Sequence, residues 1–231
     1  MARLPPLHVA RRSGSGSPVV LVHGLASSSV TFQNVFPLIE HHHEVIALDL
    51  LGFGGSPIVD DLDYTIDDHV GALVAAIRRL RLAGPAVLVG HSMGALFVAR
   101  IAARHPHLVS RLVLVSPPIY VSPAELSNPI DRGVMAAYLA AYRYVREHRE
   151  FTLRNARIVE GFLSIPKAMD INAATWEPFV KSLQNSIETQ TTLSDIAAVQ
   201  APVEIVYGSL DEFQSRGAML IAARMRGVTV H

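Results

Sequence analysis

The stretch Ala86-Val87-Leu88-Val89-Gly90-His91-Ser92-Met93-Gly94-Ala95 decides the fold of this chain. Its first four residues form a short apolar run bounded by a glycine, which predicts a buried strand. The segment that follows, up to Arg100, is rich in alanine and other apolar residues and contains no helix breaker, which predicts a helix. Between these two elements, Gly-His-Ser-Met-Gly matches G-x-S-x-G, the pattern of a sharp strand-to-helix turn that exposes a nucleophilic serine.

The two glycines of this turn have a steric purpose. A strand that turns sharply into a helix leaves no room for Cβ atoms two residues either side of the apex, so Gly90 and Gly94 let the two backbones pack. Ser92 then lies at the apex, beside a helix N-terminus whose unpaired N–H groups and dipole favour developing negative charge. A purely structural Gly/Ser turn is the alternative. The strand before it and the helix after it favour the functional interpretation.

Composition excludes several classes of protein. The 231 residues carry 20 Lys and Arg against 20 Asp and Glu, so a nucleic-acid partner is not expected. There is no cysteine, which excludes disulfides and thiol chemistry. No apolar run is long enough to span a membrane or to serve as a signal sequence. We therefore expect a cytoplasmic protein with a small-molecule partner; the oligomeric state is left open.

Apolar strand patterns alternate with helical patterns along most of the chain. This alternation predicts an α/β fold, with a mostly parallel sheet flanked by helices on both faces. The predicted helices include one from about Val30 to Glu40 and one that opens at Thr65 and Asp68, which form a capping-box pattern. The predicted strands are 7–11, 19–23, 44–49, 86–90, 111–116, 203–207 and 228–230.

The segment 119–195 breaks the alternation. It has no buried-strand run and is predicted to form several helices, the clearest from Arg132 to Arg149. It contains eight of the chain's fifteen aromatic residues, and its positive and negative charges nearly balance. We interpret it as a helical insertion that suits an uncharged, fairly apolar ligand; the alternative is that its aromatic residues form the insertion's own core.

Four motifs together resemble the α/β-hydrolase superfamily, and the resemblance covers nearly the whole chain. They are Val-His-Gly at 22–24, Asp-x-x-Gly-x-Gly-x-Ser at 49–56, Gly-His-Ser-Met-Gly at 90–94 and Tyr-Gly-x-x-Asp at 207–211. The resemblance implies a core formed by 1–118 and 196–231 and a helical cap, or lid, formed by 119–195. It also implies that Ser92 is the nucleophile, that Asp211 is the acid orienting a histidine, and that the backbone N–H groups of Leu25 and Met93 form the oxyanion hole.

The catalytic histidine is assigned differently. The resemblance places it in a loop after the last strand, where this chain offers His231 directly after Val228–Val230. We assign His231 as the base, with a histidine beyond the chain end as the alternative. Because a parallel sheet needs both faces covered, we expect the natural chain to continue by a few tens of residues that supply a loop histidine and a closing helix.

Other chemistry-bearing residues receive structural interpretations. Asp49 is expected to fix the glycine loop that follows it, and His23 to anchor the oxyanion loop by hydrogen bonds. Glu212 is a rival to Asp211 as the acid. The glycines at 52–55 are not a dinucleotide loop because no helix opens after them, and the histidines at 41–43 are expected to be a solvated connector. No cofactor and no metal are therefore predicted.

The sequence thus predicts a serine hydrolase that cleaves a carboxylic ester of a small-to-medium, uncharged, apolar substrate through an acyl-enzyme. Thioester hydrolysis, carbon–carbon bond hydrolysis and acyl transfer are alternatives within the same chemistry. Epoxide and haloalkane hydrolysis are disfavoured, because in those relatives an aspartate occupies the position of Ser92. The alternative from another class is a non-catalytic protein of the same fold that binds a small molecule or a partner.

Overall fold

The computed structural model describes residues 4–119, 129–160, 169–208 and 216–231. Within these ranges the strands form one sheet in the order β1-β3-β2-β4-β5-β6-β7. Only β1 runs antiparallel to its neighbour, so the sheet is mostly parallel as predicted. The strands are β1 (Val9–Ser13), β2 (Ser17–Val22), β3 (His43–Leu48), β4 (Ala86–His91), β5 (Val109–Val115), β6 (Val203–Val206) and β7 (Val228–Val230).

Helices connect the strands and fill the insertion. They are α1 (Phe36–Ile39), α2 (Ile66–Leu80), α3 (Met93–Arg104), α4 (Pro129–Glu147), α5 (Arg149–Glu160), α6 (Trp176–Ser182), α7 (Thr192–Ala198) and α8 (Arg216–Ala222). A π-helical turn, Leu183–Ile187, continues α6. None of the helices in the described part of the chain is long and apolar enough to cross a membrane.

The predicted helix from Val30 to Glu40 is wrong. The structure has a 3₁₀ turn at Ser29–Phe32 and then the single-turn helix α1. The β-branched residues Val30, Thr31 and Val35 lose side-chain freedom in a helix, which lowers its stability. Pro37 is tolerated only in a first helical turn because it has no N–H, and it lies in the first turn of α1.

The start of α2 is as predicted. Thr65 is its N-cap, with the Asp68 N–H 3.2 Å from Thr65 Oγ1 and the Thr65 N–H 2.9 Å from an Asp68 carboxylate oxygen. The reciprocal bonds satisfy two N–H groups that the first turn leaves unpaired. The helix ends at Leu80, where Arg81 takes a left-handed conformation (φ 51°).

The sheet has one fully buried centre and one more open side. Residues of β2, β3 and β4 such as Val20, Ile46 and Leu88 are completely buried, in a core shared with α2 and α3. On the other face, Phe32 and Phe36 cover β2 and β3. Towards β6 that same face is less covered, and Val206 is 39% exposed. The most completely buried packing therefore surrounds β2, β3 and β4.

The connections that follow these strands run in opposite directions across the sheet, which opens a crevice at the strand ends. The chain leaves β2 towards β3 on one side, and leaves β4 towards β5 on the other. Loops that part in this way leave an opening at the carboxyl ends of β2 and β4, which is where open α/β sheets bind ligands.

Candidate active site

The turn between β4 and α3 is built on close backbone approach. A Cβ on Gly90 would lie 2.6 Å from the backbone N of Ala95, and one on Gly94 would strike the carbonyl oxygens of Val22 and His23. Both glycines are therefore required by packing, as the sequence predicted. This packing brings the turn against the end of β2.

Ser92 occupies the apex of that turn. Its φ of 51° and ψ of −124° lie outside the helical and extended regions, a strained conformation that the surrounding packing maintains. Its N–H donates to the Val115 carbonyl at 2.9 Å, which fixes the turn to β5. The side chain is half-buried, and Met93, the next residue, opens α3. The N–H of Met93 has no partner inside the helix, because the first four N–H groups of any helix have none.

The loop after β2 lies directly against the serine. A Cβ on Gly24 would be 2.8 Å from Ser92 Cβ and 3.3 Å from His91 Nδ1. Only glycine permits this approach, which brings the neighbouring Leu25 to the side of the turn. Ala26 then takes a left-handed conformation, with φ of 52°. The structure thus places Leu25, Ser92 and Met93, three of the five predicted site residues, in one region.

His23 anchors this loop, as predicted. Its ring is completely buried, with Nδ1 2.8 Å from the Gly24 carbonyl and Nε2 3.0 Å from the backbone N of Leu50. Because the Leu50 N–H must donate, Nε2 is the acceptor and Nδ1 carries the proton. Burial lowers the pKa of His23 and keeps the ring neutral. Both ring nitrogens are occupied, so His23 has no free site for the proton of Ser92.

Asp49 fixes both this loop and the glycine loop. Its Oδ1 accepts the Ser29 N–H at 2.8 Å, and its Oδ2 accepts the Gly55 N–H at 2.9 Å. Oδ2 also lies 2.9 Å from His8 Nδ1, a partner that the sequence did not reveal. Although burial raises the pKa of Asp49, these hydrogen bonds outweigh it and lower the pKa below its usual value. The structural role predicted for Asp49 is confirmed.

Asp170, in the insertion, also reaches these loops. Its backbone N–H donates to the Ala26 carbonyl at 2.7 Å, and its Oδ2 accepts the Gly54 N–H at 2.9 Å. Sequence reasoning missed it. A single aspartate in a mostly helical segment, more than a hundred residues along the chain, carries no local signal of this contact.

Of the predicted acid and base, the structure describes only the base, His231. Asp211 and its rival Glu212 lie outside the described residues. His231 is exposed, and its Nε2 lies 2.9 Å from Glu204 Oε2. Strands β5 and β6 separate β4 from β7, which at the usual strand spacing is a distance of about 14 Å. In this arrangement the ring of His231 contacts Glu204 rather than Ser92, and its assignment as base stays a prediction.

The insertion is held to the core beside α2. Lys181 Nζ donates to the Leu62 carbonyl at 2.9 Å, and Asn185 Nδ2 donates to the Asp63 carbonyl at 2.7 Å. Ser182 Oγ lies 3.0 Å from Nε2 of the buried His69. The described parts of 119–195 are helical apart from short connections, as predicted, with α4 and α5 where one helix was expected from 132 to 149. The boundaries of a cap stay a prediction.

Comparison with known proteins identifies the class. The family model of the alpha/beta hydrolase fold matches residues 17–159. A reconstructed ancestral haloalkane dehalogenase has a similar structure, with a TM-score of 0.75 over 99% of this chain and 88% of that chain. Its sequence is 22% identical, so this likeness shows the fold alone. The chain belongs to the alpha/beta hydrolase fold family.

Two relatives are similar in sequence over part of the chain. The 2-hydroxy-6-oxo-6-(2'-aminophenyl)hexa-2,4-dienoic acid hydrolase of Metapseudomonas resinovorans is 37% identical over 106 residues, which are 45% of this chain and 36% of that protein. The N-formylmaleamate deformylase of Pseudomonas putida is 38% identical over 112 residues, 48% of this chain and 41% of that protein. The matched part of this chain therefore spans well under half the length of these relatives.

Proposed function

We propose that this protein is a serine hydrolase that cleaves a carboxylic ester through an acyl-enzyme. Ser92 Oγ attacks the carbonyl carbon, and the base takes the hydroxyl proton. The tetrahedral oxyanion accepts hydrogen bonds from the N–H groups of Leu25 and Met93. Collapse of this intermediate expels the alcohol, which takes up the proton, and water then releases the acid by the same steps. Asp211 and His231 are the proposed acid and base.

One observation carries this proposal: the strained Ser92 and the Gly24–Leu25 loop are packed against each other. A serine hydroxyl is a poor nucleophile in water, and a tetrahedral oxyanion is stabilised only by donors that are already in position. The apex conformation of Ser92 and the close approach of Gly24 support the second condition, since they bring the serine and the residues that carry the two proposed donors to one point. The first condition is met by the proposed base. A turn with only a structural role would not need the loop after β2 to lie within van der Waals contact of Ser92.

The proposed role of His231 requires movement. Its ring would have to leave Glu204 and approach to within roughly 2.6–3.2 Å of Ser92 Oγ to accept the proton. A test of His231 is therefore separate from a test of Ser92.

The proposed substrate is small to medium, uncharged and apolar. The insertion that adjoins the loop after β2 carries nearly balanced charge, and Trp176 and Phe179 pack together in α6, with ring centroids 5.6 Å apart. As a lid, this segment would offer the partly exposed Trp176 rather than a charged clamp to the substrate, while Phe179 is buried beneath it.

A second candidate is hydrolysis of a carbon–carbon bond. It is favoured by the relative from M. resinovorans, because a 2-hydroxy-6-oxo-dienoic acid as named contains no ester or amide bond for water to cleave. The same nucleophile and oxyanion hole would serve, with a carbanion rather than an alkoxide as the leaving group. Parallel assays with a nitrophenyl ester and with a vinylogous 1,5-diketone acid separate the two candidate functions. An ester hydrolase should have the larger kcat/KM on the nitrophenyl ester, and a carbon–carbon bond hydrolase should have it on the diketone acid.

The experiment for the nucleophile is active-site labelling with a fluorophosphonate. The protein is expected to gain one phosphonyl group by mass spectrometry, and Ser92→Ala is expected to gain none and to lose nitrophenyl-ester turnover by about a thousand-fold or more. Ser116→Ala is the matched control, because Ser116 follows the neighbouring strand β5 and also has a positive φ, 45°. Labelling that persists in folded Ser92→Ala would reject the nucleophile, and an unlabelled protein would favour a non-catalytic binding role.

A further inference from the structure

Asp170 uses every polar group that it has. Its backbone N–H donates to the Ala26 carbonyl, and its own carbonyl accepts from Thr175 Oγ1 at 3.1 Å. Its Oδ2 accepts the Gly54 N–H and its Oδ1 accepts from Asn172 Nδ2 at 3.0 Å. These four hydrogen bonds hold Asp170 in one position, and two of them join the insertion to two loops of the core.

The bond to the Ala26 carbonyl lies two peptide units beyond the unit that carries the proposed oxyanion donor, the Leu25 N–H. The loop after β2 is fixed at three points: the Gly24 carbonyl by His23, the Ala26 carbonyl by Asp170, and the Ser29 N–H by Asp49. His23 and Asp49 belong to the core. Of these three residues, only Asp170 comes from the insertion. It holds the carbonyl of Ala26, the residue that follows Leu25.

Asp170 and Asp49 accept hydrogen bonds from the same glycine loop. The two carboxylates, 121 residues apart in the chain, accept the N–H groups of the adjacent residues Gly54 and Gly55. A Cβ on Gly54 would lie 2.5 Å from the Asp49 carboxylate, so this loop is packed tightly against Asp49. The hydrogen bond from the Gly54 N–H to its side chain thus fixes Asp170, and with it the backbone N–H of Asp170, against a tightly packed part of the core.

We propose that Asp170 is a positioning residue of the oxyanion hole, which orients the Leu25 N–H when segment 169–175 is docked on the core. This inference rests on the proposed serine hydrolase function. Asp170 does not touch the reacting atoms. It acts through Ala26, so the stabilisation of the oxyanion depends on the seating of the insertion.

The effect is expected in kcat rather than in KM. Removing one oxyanion donor costs about 10²- to 10³-fold in kcat, and a displacement of about 1 Å costs up to about 10²-fold. Asp170→Ala releases Gly54 but keeps the backbone N–H, so we expect a loss of about 10- to 100-fold in kcat with KM within about two-fold. Asp170→Asn keeps an oxygen that can accept from Gly54, and should lose less.

The test measures affinity for an alkyl trifluoromethyl ketone beside nitrophenyl-ester kinetics. The ketone forms a tetrahedral adduct with the serine, whose oxygen takes the place of the oxyanion, so its affinity should fall with kcat in Asp170→Ala. Asn185→Ala is the matched control, because it removes another hydrogen bond between the insertion and the core, at Asp63, away from the oxyanion loop. It should change neither quantity.

Each outcome has a distinct meaning. Equal losses of kcat and ketone affinity in Asp170→Ala and Asn185→Ala would show that Asp170 only attaches the insertion to the core. A raised KM with unchanged kcat in Asp170→Ala would show the same. Either result would overturn this inference alone. A wild-type protein that fluorophosphonate fails to label would overturn the hydrolase proposal and this inference together. Should Asp170→Ala fail to fold, a folded Asp170→Leu, which resembles Asp in shape but offers no acceptor to the Gly54 N–H, would still reject the inference if it had full kcat and full ketone affinity.

Discussion

Two histidine–carboxylate pairs in this protein have the same nitrogen–oxygen distance and very different surroundings. His8 and Asp49 meet at 2.9 Å, and so do His231 and Glu204. The Asp49 side chain is 3% exposed and also accepts two backbone N–H groups, whereas that of Glu204 is 25% exposed and its other partner is the exposed Arg111. Distance alone therefore does not measure what a pair contributes, because burial and the number of fixed donors differ.

Removing the buried carboxylate should have the largest effect. Asp49→Ala leaves the N–H groups of Ser29 and Gly55 without their charged acceptor. Hydrogen bonds to charged groups contribute about 1.5–3 kcal/mol each, so for two bonds we expect the free energy of unfolding to fall by about 3–6 kcal/mol in urea titrations at pH 7. Asp49→Asn, which keeps one acceptor oxygen, should lose less. Unchanged stability in Asp49→Ala would show that burial and fixed donors do not make the pair of His8 and Asp49 contribute more than the pair of His231 and Glu204.

His69 provides a third case, because it is buried and no carboxylate among the described residues pairs with it. Its ring stacks on Phe97 with centroids 4.5 Å apart, and its Nδ1 has no hydrogen-bond partner among the described residues. Burial, with a smaller contribution from His23, lowers the pKa of His69 from 6.5 to about 3. Between these two pH values the unfolded chain binds a proton that the folded protein does not. Stability is therefore fully present above about pH 6.5 and is lost as the pH falls towards 3.

The measurable quantity is the slope of unfolding free energy against pH. We expect His69 to contribute about 1.4 kcal/mol of lost stability per pH unit between pH 6 and pH 4. His69→Phe keeps an aromatic ring against Phe97 and removes the titration, so its slope should be smaller by that amount. Ser182→Ala, which retains His69, should keep the wild-type slope. Parallel slopes for wild type and His69→Phe would show that the burial of this ring has no linkage to folding.

The exposed pair should have the smallest effect on stability. Hydrogen bonding from His231, with a further contribution from Arg111, lowers the pKa of Glu204, but solvent screens an exposed pair and its contribution to stability is small. Glu204→Gln and His231→Ala should each leave the unfolding free energy close to the wild-type value in urea. Their activities should differ: as the proposed base, His231 is needed for ester turnover and Glu204 is not. A folded His231→Ala with full turnover would remove His231 from the mechanism.

The sequence predicted what local chemistry determines. The glycines of the turn at Ser92, the capping box at Thr65 and the strands follow from short patterns, and the structure contains all of them. Asp49 and His23 were assigned structural roles because each borders a loop that needs fixed backbone groups. The contacts of Asp170 and His8 could not be predicted, since both depend on residues distant in sequence that meet only in the folded chain. The helix predicted at 30–40 does not form as one element, because its β-branched residues and Pro37 disfavour a continuous helix.

The position of Ser92 has a consequence for how the protein is made. Its N–H is bonded to Val115, and the turn that carries it is packed on the carbonyl oxygens of Val22 and His23. Three segments, separated by about 70 and about 20 residues, must therefore meet before the serine takes its strained conformation. During synthesis the proposed nucleophile, Ser92, is not in position until residue 115 has emerged and β5 has joined the sheet. If Ser92 has the proposed reactivity, that reactivity arises late in folding, and the appearance of fluorophosphonate labelling during refolding would time the closure of the sheet's centre.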